Sequence, residues 1–467
     1  MKMSALRIAV LRVSAARGAL FAVAIAAAGN AQAESISGAL ARAYSGNPDI
    51  NQQRAAVRAT DENVPRAKSG YRPRVTATAD VGRQWTDLHL PGGRSASMTS
   101  NPRGYGVSIT QNIWNGNRTD NSVRQAESGV LGARETMRQT EQTILQNGAT
   151  AYMNVLRDTA ILNLRKNNIT VLEEQLRQTT NRFQVGEVTR TDVAQSEASL
   201  AQARSDYFAA QSNLQTSIAS YRQIIGVQPS RLEPARPIEA LLPKNLPAAV
   251  QVSQTEHPAV QAAMHNVDVQ ALNVKVVEGE LYPTIGVTGS VAKRFDPAGS
   301  TASQTLTASI VGQLSVPIYE GGEVYARARQ AKEQLGQARL QADLQRDAVR
   351  AQVVSTWGQL ETAKAQIRSG QAAVTAAEIA LNGVREEAKV GQRTTLDVLN
   401  AQQALLNTRV ALVTAQRDRV VASYAVMAAT GRLTADNLHL KVARYEPRVH
   451  FEQVKDKWIG LRTPDGR

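Results

Sequence analysis

The chain has 467 residues, a formal net charge of +14 and no cysteine. Its length allows two or three domains, and the absence of cysteine excludes disulfide bonds. Because the Lys and Arg residues form no dense run interleaved with aromatics, the charge predicts a scattered, solvated surface and no nucleic-acid partner.

The first 33 residues are predicted to be an export signal peptide. Four basic residues precede an apolar core from Gly18 to Ala28, and Ala31-Gln32-Ala33 forms a small-residue cleavage site before Glu34. The apolar core is too short to cross a bilayer as a helix, and no later run of 18 apolar residues follows. If the mature chain enters a membrane, we expect it to do so as a closed β-barrel.

The rest of the chain is predicted to be two copies of one large unit. Residues 182–193 return as residues 387–398, and the glycines of the two segments are 391 − 186 = 205 residues apart. A repeat of this length indicates two copies of a supersecondary unit, and hence an internal two-fold repeat. In chain order we predict a signal peptide (1–33), structural repeat 1 (34–230, with strands at about 72–114 and long helices at about 117–226), a linker (231–250), structural repeat 2 (251–431, with strands at about 283–318 and long helices at about 322–430) and a C-terminal tail (432–467) with a disordered end.

After a short helical segment, each repeat changes to a period of two. Apolar residues alternate with small polar ones in four segments of about ten residues, the length that a barrel strand needs to cross a bilayer. Aromatics near the segment ends suit interfacial girdles, although a soluble sheet could carry them as well. The connections Thr86–Arg103 and Asp296–Gln304 are expected to be polar loops. The alternating apolar residues are Val75, Ala77, Ala79 and Val81, then Tyr105, Val107 and Ile109, then Ile285, Val287, Gly289 and Val291, and last Leu306, Ala308, Ile310, Gly312 and Leu314.

Four strands are too few for a membrane barrel, which needs at least about eight to close. An unclosed edge in lipid costs roughly several kcal/mol for each bare backbone group. We therefore expect two, three or four chains to share one barrel.

Two long stretches without proline are predicted to be helical. No proline lies between Pro102 and Pro229 or between Pro317 and Pro447. Apolar residues recur every seven positions in both stretches, which is the signature of a left-handed coiled coil. A plain coiled-coil scaffold would explain these heptads but neither the signal peptide nor the strands. The seam residues are Val155, Leu162, Ile169, Leu176 and Phe183 in the first copy and Leu360, Ile367, Val374, Leu381 and Ala388 in the second.

These residues resemble the TolC-type outer-membrane efflux and type I secretion channel family. The resemblance rests on the paired turns Val185–Asp192 and Val390–Asp397, on Tyr282-Pro283 before a strand and on Val316–Gly322 after one. It implies a mixed α and β membrane protein: a homotrimer with a twelve-stranded outer-membrane barrel, four strands per chain, continuous with a long α-helical coiled-coil tunnel in the periplasm. The linker and the tail would then form an equatorial belt.

The resemblance also implies a role for the tips of the two long helix hairpins. In the family these tips dock onto a periplasmic adaptor protein, which an inner-membrane pump of the RND or ABC type recruits. The tip residues here are Val185, Gly186 and Glu187 in the first repeat, and Val390, Gly391 and Gln392 in the second.

A gate and a pore constriction are implied by the same comparison. Arg393 aligns with the family's gate arginine, whose expected partners are Thr191 and Asp192. Asp397 aligns with a carboxylate that rings the narrowest part of the pore. Asn400 stands where the family has a second aspartate, and Ala388 where it often has a tyrosine. The gate is thus expected to have fewer bonds and the ring half the acidic charge.

The predicted function is the outer-membrane exit duct of a tripartite efflux pump or type I secretion system, without a cofactor. The partners are two further copies of the chain, the adaptor, the pump and outer-membrane lipid. An enzyme is not expected, because the five histidines are scattered and none has metal-ligand spacing with another. The alternative is a periplasmic coiled-coil adaptor, which usually has one hairpin between lipoyl-like halves.

Overall fold

A computed structural model of the chain describes residues 34–297 and 302–466. The predicted signal peptide lies outside the described residues. The chain divides into two compact units, each built from segments that are separated in the sequence. The first unit contains residues 34–43, 148–236 and 369–420, and the second contains residues 44–147, 237–297, 302–368 and 421–466.

Helices account for most of the described chain. The two longest have 67 residues each, or about 100 Å at the rise of an α-helix. None of the helices in the described part of the chain has an apolar stretch long enough to cross a membrane. The helices are α1 (Ile36–Gly46), α2 (Pro48–Asp61), α3 (Asn63–Lys68), α4 (Arg118–Gln184), α5 (Arg190–Ile225), α6 (Leu246–Glu256), α7 (Pro258–Glu278), α8 (Glu323–Lys389), α9 (Thr395–Ala429) and α10 (Pro447–Val454).

The strands lie in the second unit and form two sheets. The larger sheet has four antiparallel strands in the order β1-β4-β5-β6, and the smaller one pairs β2 with β3. The strands are β1 (Arg74–Val81), β2 (Gln84–Leu90), β3 (Arg94–Ser100), β4 (Arg103–Trp114), β5 (Thr284–Phe295) and β6 (Gln304–Ser315).

The expectation of a polar loop over Thr86–Arg103 was wrong, because most of this segment is the β2–β3 hairpin. Gly92 and Gly93 both have positive φ, 98° and 80°, which suits the tight reversal between the strands. The many Ser and Thr residues that made the segment look loop-like also pair well in a two-stranded ribbon.

The register of the four-stranded sheet places the alternating apolar residues on one face. Ile109 lies opposite Val75 on β1 and Gly289 on β5, and Gly289 lies opposite Ile310 on β6. The next row of this face is also apolar, since successive side chains of a strand point to opposite faces, and it contains Ala77, Val107, Val291 and Ala308. Farther out, Gln111 and Lys293 interrupt the apolar rows. The opposite face carries the small polar residues of the pattern, such as the Ser290–Ser309 pair, whose hydroxyls lie 3.0 Å apart.

Aromatic side chains lie at the helix-connected end of this sheet, as expected. The rings of Trp114 and Tyr282 are 6.4 Å apart in an edge-to-face arrangement. Tyr71, three residues before β1, is half-exposed.

The heptad seams are buried to different extents. Val155, Leu360 and Leu381 are buried, whereas Phe183 at the end of α4 is 42% exposed. A buried cluster in the first unit contains Leu172, Leu200, Ala203 and Leu399, with the seam residues Ile169 and Leu176 packed against it. The central contacts of the hairpins therefore lie beside the predicted seam of α4 rather than along it.

The second unit has its own helical core around Trp357. One cluster contains Ala249, Val353 and Ala429, and a neighbouring one contains Leu360, Ala422 and Val426. Trp357 packs against both clusters and joins them.

Candidate functional site at the two hairpin tips

The first hairpin reverses between α4 and α5 through a turn centred on Gly186. This glycine has φ 79°, a left-handed conformation that costs other residues about 1–2 kcal/mol. The amide of Gly186 donates to the carbonyl of Phe183 at 3.0 Å, and that of Glu187 donates to the carbonyl of Arg182 at 2.9 Å. These two bonds satisfy carbonyls that the end of α4 would otherwise leave free.

The second hairpin makes the same turn between α8 and α9. Gly391 has φ 78°, and its amide donates to the carbonyl of Ala388 at 3.3 Å. The amide of Gln392 donates to the carbonyl of Glu387 at 2.9 Å. A Cβ added at either glycine would meet no atom within 4 Å, so backbone conformation alone demands glycine here.

Each turn ends in a threonine–aspartate cap that starts the next helix. The Asp192 carboxylate accepts from the Thr189 amide at 2.9 Å, while the Thr189 hydroxyl accepts from the Asp192 amide at 3.3 Å. Asp397 and Thr394 repeat this exchange at 2.9 and 3.2 Å. The two predicted site aspartates therefore both have a structural role as partners of a capping box.

Hydrogen bonding at the caps lowers the pKa of both carboxyl groups. The Thr189 side chain and then its amide lower the pKa of Asp192, and Thr395 contributes a further side-chain hydrogen bond. The Thr394 amide and then its side chain lower the pKa of Asp397, and the charge of Arg393 adds to the effect. Both carboxylates are therefore ionised at neutral pH.

Each tip also has an ion pair that joins the two sides of its turn. Arg182 pairs with Glu187 at 3.0 Å, and Arg393 pairs with Glu387 at 2.9 Å. Among the described residues Arg393 thus contacts a carboxylate of its own hairpin rather than Thr191 or Asp192. The turn brings Glu387 next to Arg393, so this bond forms without any approach of the other hairpin. The brace between the repeats stays a prediction.

The remaining predicted site residues are open to contact. Val185 and Val390 are 72% and 71% exposed, so each tip presents one apolar side chain of the same type. Asn400 is exposed, one turn after the cap residue Asp397. Ala388 lines a cleft that it shares with Gln178 and other polar side chains of α4 and α8.

Two polar links between α4 and α9 were not predicted. The side-chain oxygen of buried Asn168 accepts from the Gln402 amide at 3.4 Å, and Gln402 accepts from Arg385 at 3.0 Å. Farther from the tip, the Arg417 guanidinium donates twice to the side-chain oxygen of Asn154, at 2.9 and 2.6 Å. The two asparagines are 168 − 154 = 14 residues apart, which is two heptads. That spacing was the sequence signal for polar residues at one position of the coiled coil.

Comparison with known proteins gives the family. A sequence model of the outer membrane efflux protein family matches residues 39–227 and 249–432, which is most of the chain. The chain belongs to this family. The predicted TolC-type resemblance is confirmed.

Several relatives in this family are similar over most of their length. The chain is 44% identical over 438 residues to the outer membrane efflux protein BepC of Brucella suis, covering 94% of each chain. It is 26% identical over 432 residues to the outer membrane protein TolC of Escherichia coli, covering 87% of this chain and 84% of the relative. It is 25% identical over 388 residues to the alkaline protease secretion protein AprF of Pseudomonas aeruginosa, covering 80% and 79%.

Solved structures show the same fold. The CmeC outer membrane channel of Campylobacter jejuni superposes with a TM-score of 0.76 at 17% identity, over 90% of this chain and 89% of that one. A membrane protein of Pseudomonas aeruginosa gives the same TM-score and identity, over 85% and 90%. The protein is therefore an outer-membrane exit duct for efflux or type I secretion with a periplasmic extension, and it is neither an enzyme nor an adaptor.

Proposed function

We propose that three copies of this chain close one twelve-stranded barrel. The four-stranded sheet has β1 and β6 as its outer strands, and each has one edge without a partner strand in the described part of the chain. All eight residues of β1 and all twelve of β6 are exposed. Bare strand edges cannot remain in lipid, so the copies must pair β1 with β6 around a ring. These open edges are the observation that carries the proposal.

Exposed apolar side chains on the long helices support the same assembly. Leu340, Leu344 and Ile379 on α8 are 67%, 63% and 68% exposed, and Phe208 on α5 is 64% exposed. Exposed apolar side chains of this size suit burial against a partner surface. In the proposed trimer these side chains pack against neighbouring copies, and the helices together form the wall of a periplasmic tunnel.

An internal two-fold repeat underlies this architecture. The helices α4 and α8 have equal length, 67 residues, and α5 and α9 have 36 and 35. The family model also matches the chain in two separate segments, 39–227 and 249–432. Three copies of a two-fold repeat give six similar hairpins around the tunnel.

The two tips are the proposed docking points for a periplasmic adaptor, which an inner-membrane pump of the RND or ABC type recruits. Exposed Val185 and Val390 offer each tip an apolar contact, and the hydrogen-bonded glycine turns that present them reduce the entropy cost of ordering the backbone on binding. Glu187 and Gln392 differ between the tips, so the two docking points are not chemically identical.

We place the gate at the same end. In a closed ring Arg393 would share its charge between Glu387 and the Asp192 carboxylate, and Asp397 with Asn400 would line the constriction. The hydrogen bond that Thr395 contributes to Asp192 supports the approach of the two tips, since Thr395 lies two residues after Arg393.

Mass measurement and pore formation test the proposed assembly together. The mature protein purified in mild detergent should have the mass of three chains by native mass spectrometry, and it should form ion-conducting pores in planar bilayers. A stable monomer that makes no pores would contradict both the shared barrel and the tunnel.

A further inference from the structure

We propose that the loop Lys457–Arg462 of the tail, called the tail loop below, anchors each copy in the phospholipid of the inner leaflet. This inference rests on the proposed barrel, in which the strand ends joined to the long helices face the periplasm. The tail loop would then lie at the periplasmic rim of the barrel, with its apolar side chains among the lipid headgroups.

The tail runs beside α2 and α3 toward the sheet. Near its start, the Tyr445 amide donates to the Tyr44 hydroxyl at 3.2 Å. Farther along, His450 in α10 lies 2.8 Å from the fully buried carboxylate of Asp61 at the end of α2. Beyond α10, the ammonium of Lys68 at the end of α3 donates to Asp456 at 2.7 Å. From one contact to the next, the residue numbers rise in the tail and in the helices alike. The contacts therefore hold the tail parallel to the helices that lead into β1.

The last contact of this series places the tail loop at the rim. The Arg72 guanidinium donates to the carbonyl of Lys457 at 2.8 Å and lies 4.6 Å from the centre of the Trp458 ring. Arg72 stands two residues before β1 begins and directly after Tyr71 of the aromatic end of the sheet. Trp458 therefore reaches the level at which the aromatic girdle of a barrel meets the headgroups.

Within the tail loop the apolar side chains point away from the chain. Ile459 is 90% exposed, Leu461 is 103% exposed and Trp458 is 66% exposed. The Lys457 ammonium donates to the carbonyl of Arg462 at 2.5 Å and so closes the loop, and Gly460 has φ 120°. An ordered, closed loop that exposes three large apolar residues has the form of an interfacial anchor.

The charge around the tail loop favours lipid as its occupant. Residues 455–462 contain three basic residues and one acidic residue. Asp456 is paired with Lys68 and Lys455 with Glu452, so the positive charge of the loop itself comes from Lys457 and Arg462. Arg72, which contacts both Lys457 and Trp458, adds positive charge beside it. Basic side chains next to exposed apolar ones suit a surface of anionic headgroups. A second copy would bring the same positive charge to the contact.

A fluorescent probe can measure where the tail loop lies. The chain has no cysteine, so Ile459→Cys provides a single attachment point in the full-length protein. The labelled protein is reconstituted into phosphatidylethanolamine–phosphatidylglycerol vesicles that contain nitroxide lipids with the spin label near the headgroup. Val449→Cys on α10, which is 54% exposed, is the matched control on the tail, and Ile310→Cys on β6 is the control for the barrel.

We expect nitroxide lipid to quench the probe at position 459 at least about twofold more than the probe at position 449. Replacing phosphatidylglycerol with phosphatidylcholine should reduce that difference. Equal quenching at 459 and 449 would overturn the inference. It would also be overturned if neither lipid nitroxide nor aqueous iodide quenched the probe at 459, because that result would indicate packing against a second copy. For position 310, which lies at the middle of the proposed barrel wall, the lipid carries its nitroxide in the middle of the acyl chain, and absence of quenching there would instead overturn the barrel itself.

Discussion

Two helix starts in the second unit use different side chains for the same cap. Asn47 accepts the amide of Asp49 at 2.8 Å at the start of α2, and His257 accepts the amide of Ala259 through Nδ1 at 3.2 Å at the start of α7. A proline follows the cap in both cases, where its missing N–H costs nothing. The imidazole can accept this bond while Nδ1 is unprotonated, so the second cap depends on pH.

The buried His257 should make the protein less stable in mild acid. Burial, with a smaller effect from the charge of Arg138, lowers its pKa from 6.5 to about 4. Between these values the unfolded chain binds a proton that the folded chain does not, so stability falls as the pH falls from about 6.5 to 4, by up to about 3 kcal/mol per chain. Above pH 6.5 the histidine should have no effect on the pH dependence.

Asparagine caps the corresponding helix of the first repeat, so replacing His257 with asparagine isolates the effect of the histidine on stability. His257→Asn keeps a capping oxygen, and we expect it to flatten the loss of thermal stability between pH 7 and pH 5, as measured by circular dichroism in detergent. His89→Asn in the exposed β2 strand is the control and should leave the slope as in the parent protein. A parent-like slope in His257→Asn would show that another group titrates.

Asp397 at the second tip caps the start of α9 and also carries a negative charge at the proposed constriction. Two variants can separate these two roles. Asp397→Asn removes the charge but keeps an oxygen for the Thr394 amide, so it should weaken block of the pore by a periplasmic trivalent cation while α9 stays protected from hydrogen exchange. Thr394→Ala keeps the charge and removes the reciprocal cap bond, at about 1 kcal/mol. It should speed exchange at the start of α9 and leave cation block intact. The same outcome in both variants would show that the two roles cannot be divided in this way.

At the scale of elements, each of the two hairpins has an ion pair across its turn, and these two ion pairs can be compared directly. Arg182–Glu187 and Glu387–Arg393 close their tips at 3.0 and 2.9 Å, and Arg393 is the residue of these two arginines that we propose for the gate. We expect Arg393→Ala to raise single-channel conductance or open probability in planar bilayers, because the proposed brace is lost together with the local pair. Arg182→Ala loses the local pair only and should conduct as the parent channel does. If both variants open the channel alike, tip stability rather than a brace controls the gate.

The sequence predicted some features of the tips and helices and missed others. The repeated Gly-to-Asp spacing located both turns, since a left-handed turn residue and an N-cap leave local signals. The partner of Arg393 was not predicted, because it depends on how the turn brings Glu387 beside it. The Asn168–Gln402 link was not predicted, because it depends on which helix faces lie together. The β2–β3 hairpin was missed, since polar, Ser- and Thr-rich strands resemble loops in composition.

At the scale of the whole molecule, the two faces of the sheet should respond differently to charge. Ile310 lies on the apolar face, opposite Gly289, and is 84% exposed in the single chain. A lysine there would meet lipid at the middle of the barrel wall, at a cost of about 2–4 kcal/mol. We expect Ile310→Lys to reduce the yield of heat-resistant trimer in outer-membrane fractions.

A lysine on the opposite face provides the control. Thr307 lies opposite Ala292 on the small polar face, which the proposed barrel turns toward a water-filled lumen. Thr307→Lys should therefore assemble normally and alter ion selectivity instead. Equal loss of trimer in both variants would contradict the assignment of the faces.

The sequence by itself determined the long helices, the four strands of the larger sheet, the two tips and the apolar face of that sheet, but not the β2–β3 hairpin. Periods of two and seven, proline-free stretches and glycine turns act within short segments, so they can be seen without the fold. The tertiary structure decided which seam residues are buried, which partner Arg393 takes and where the tail ends against Arg72. Those outcomes depend on residues brought together from distant parts of the chain or by a turn, and no local pattern specifies such contacts.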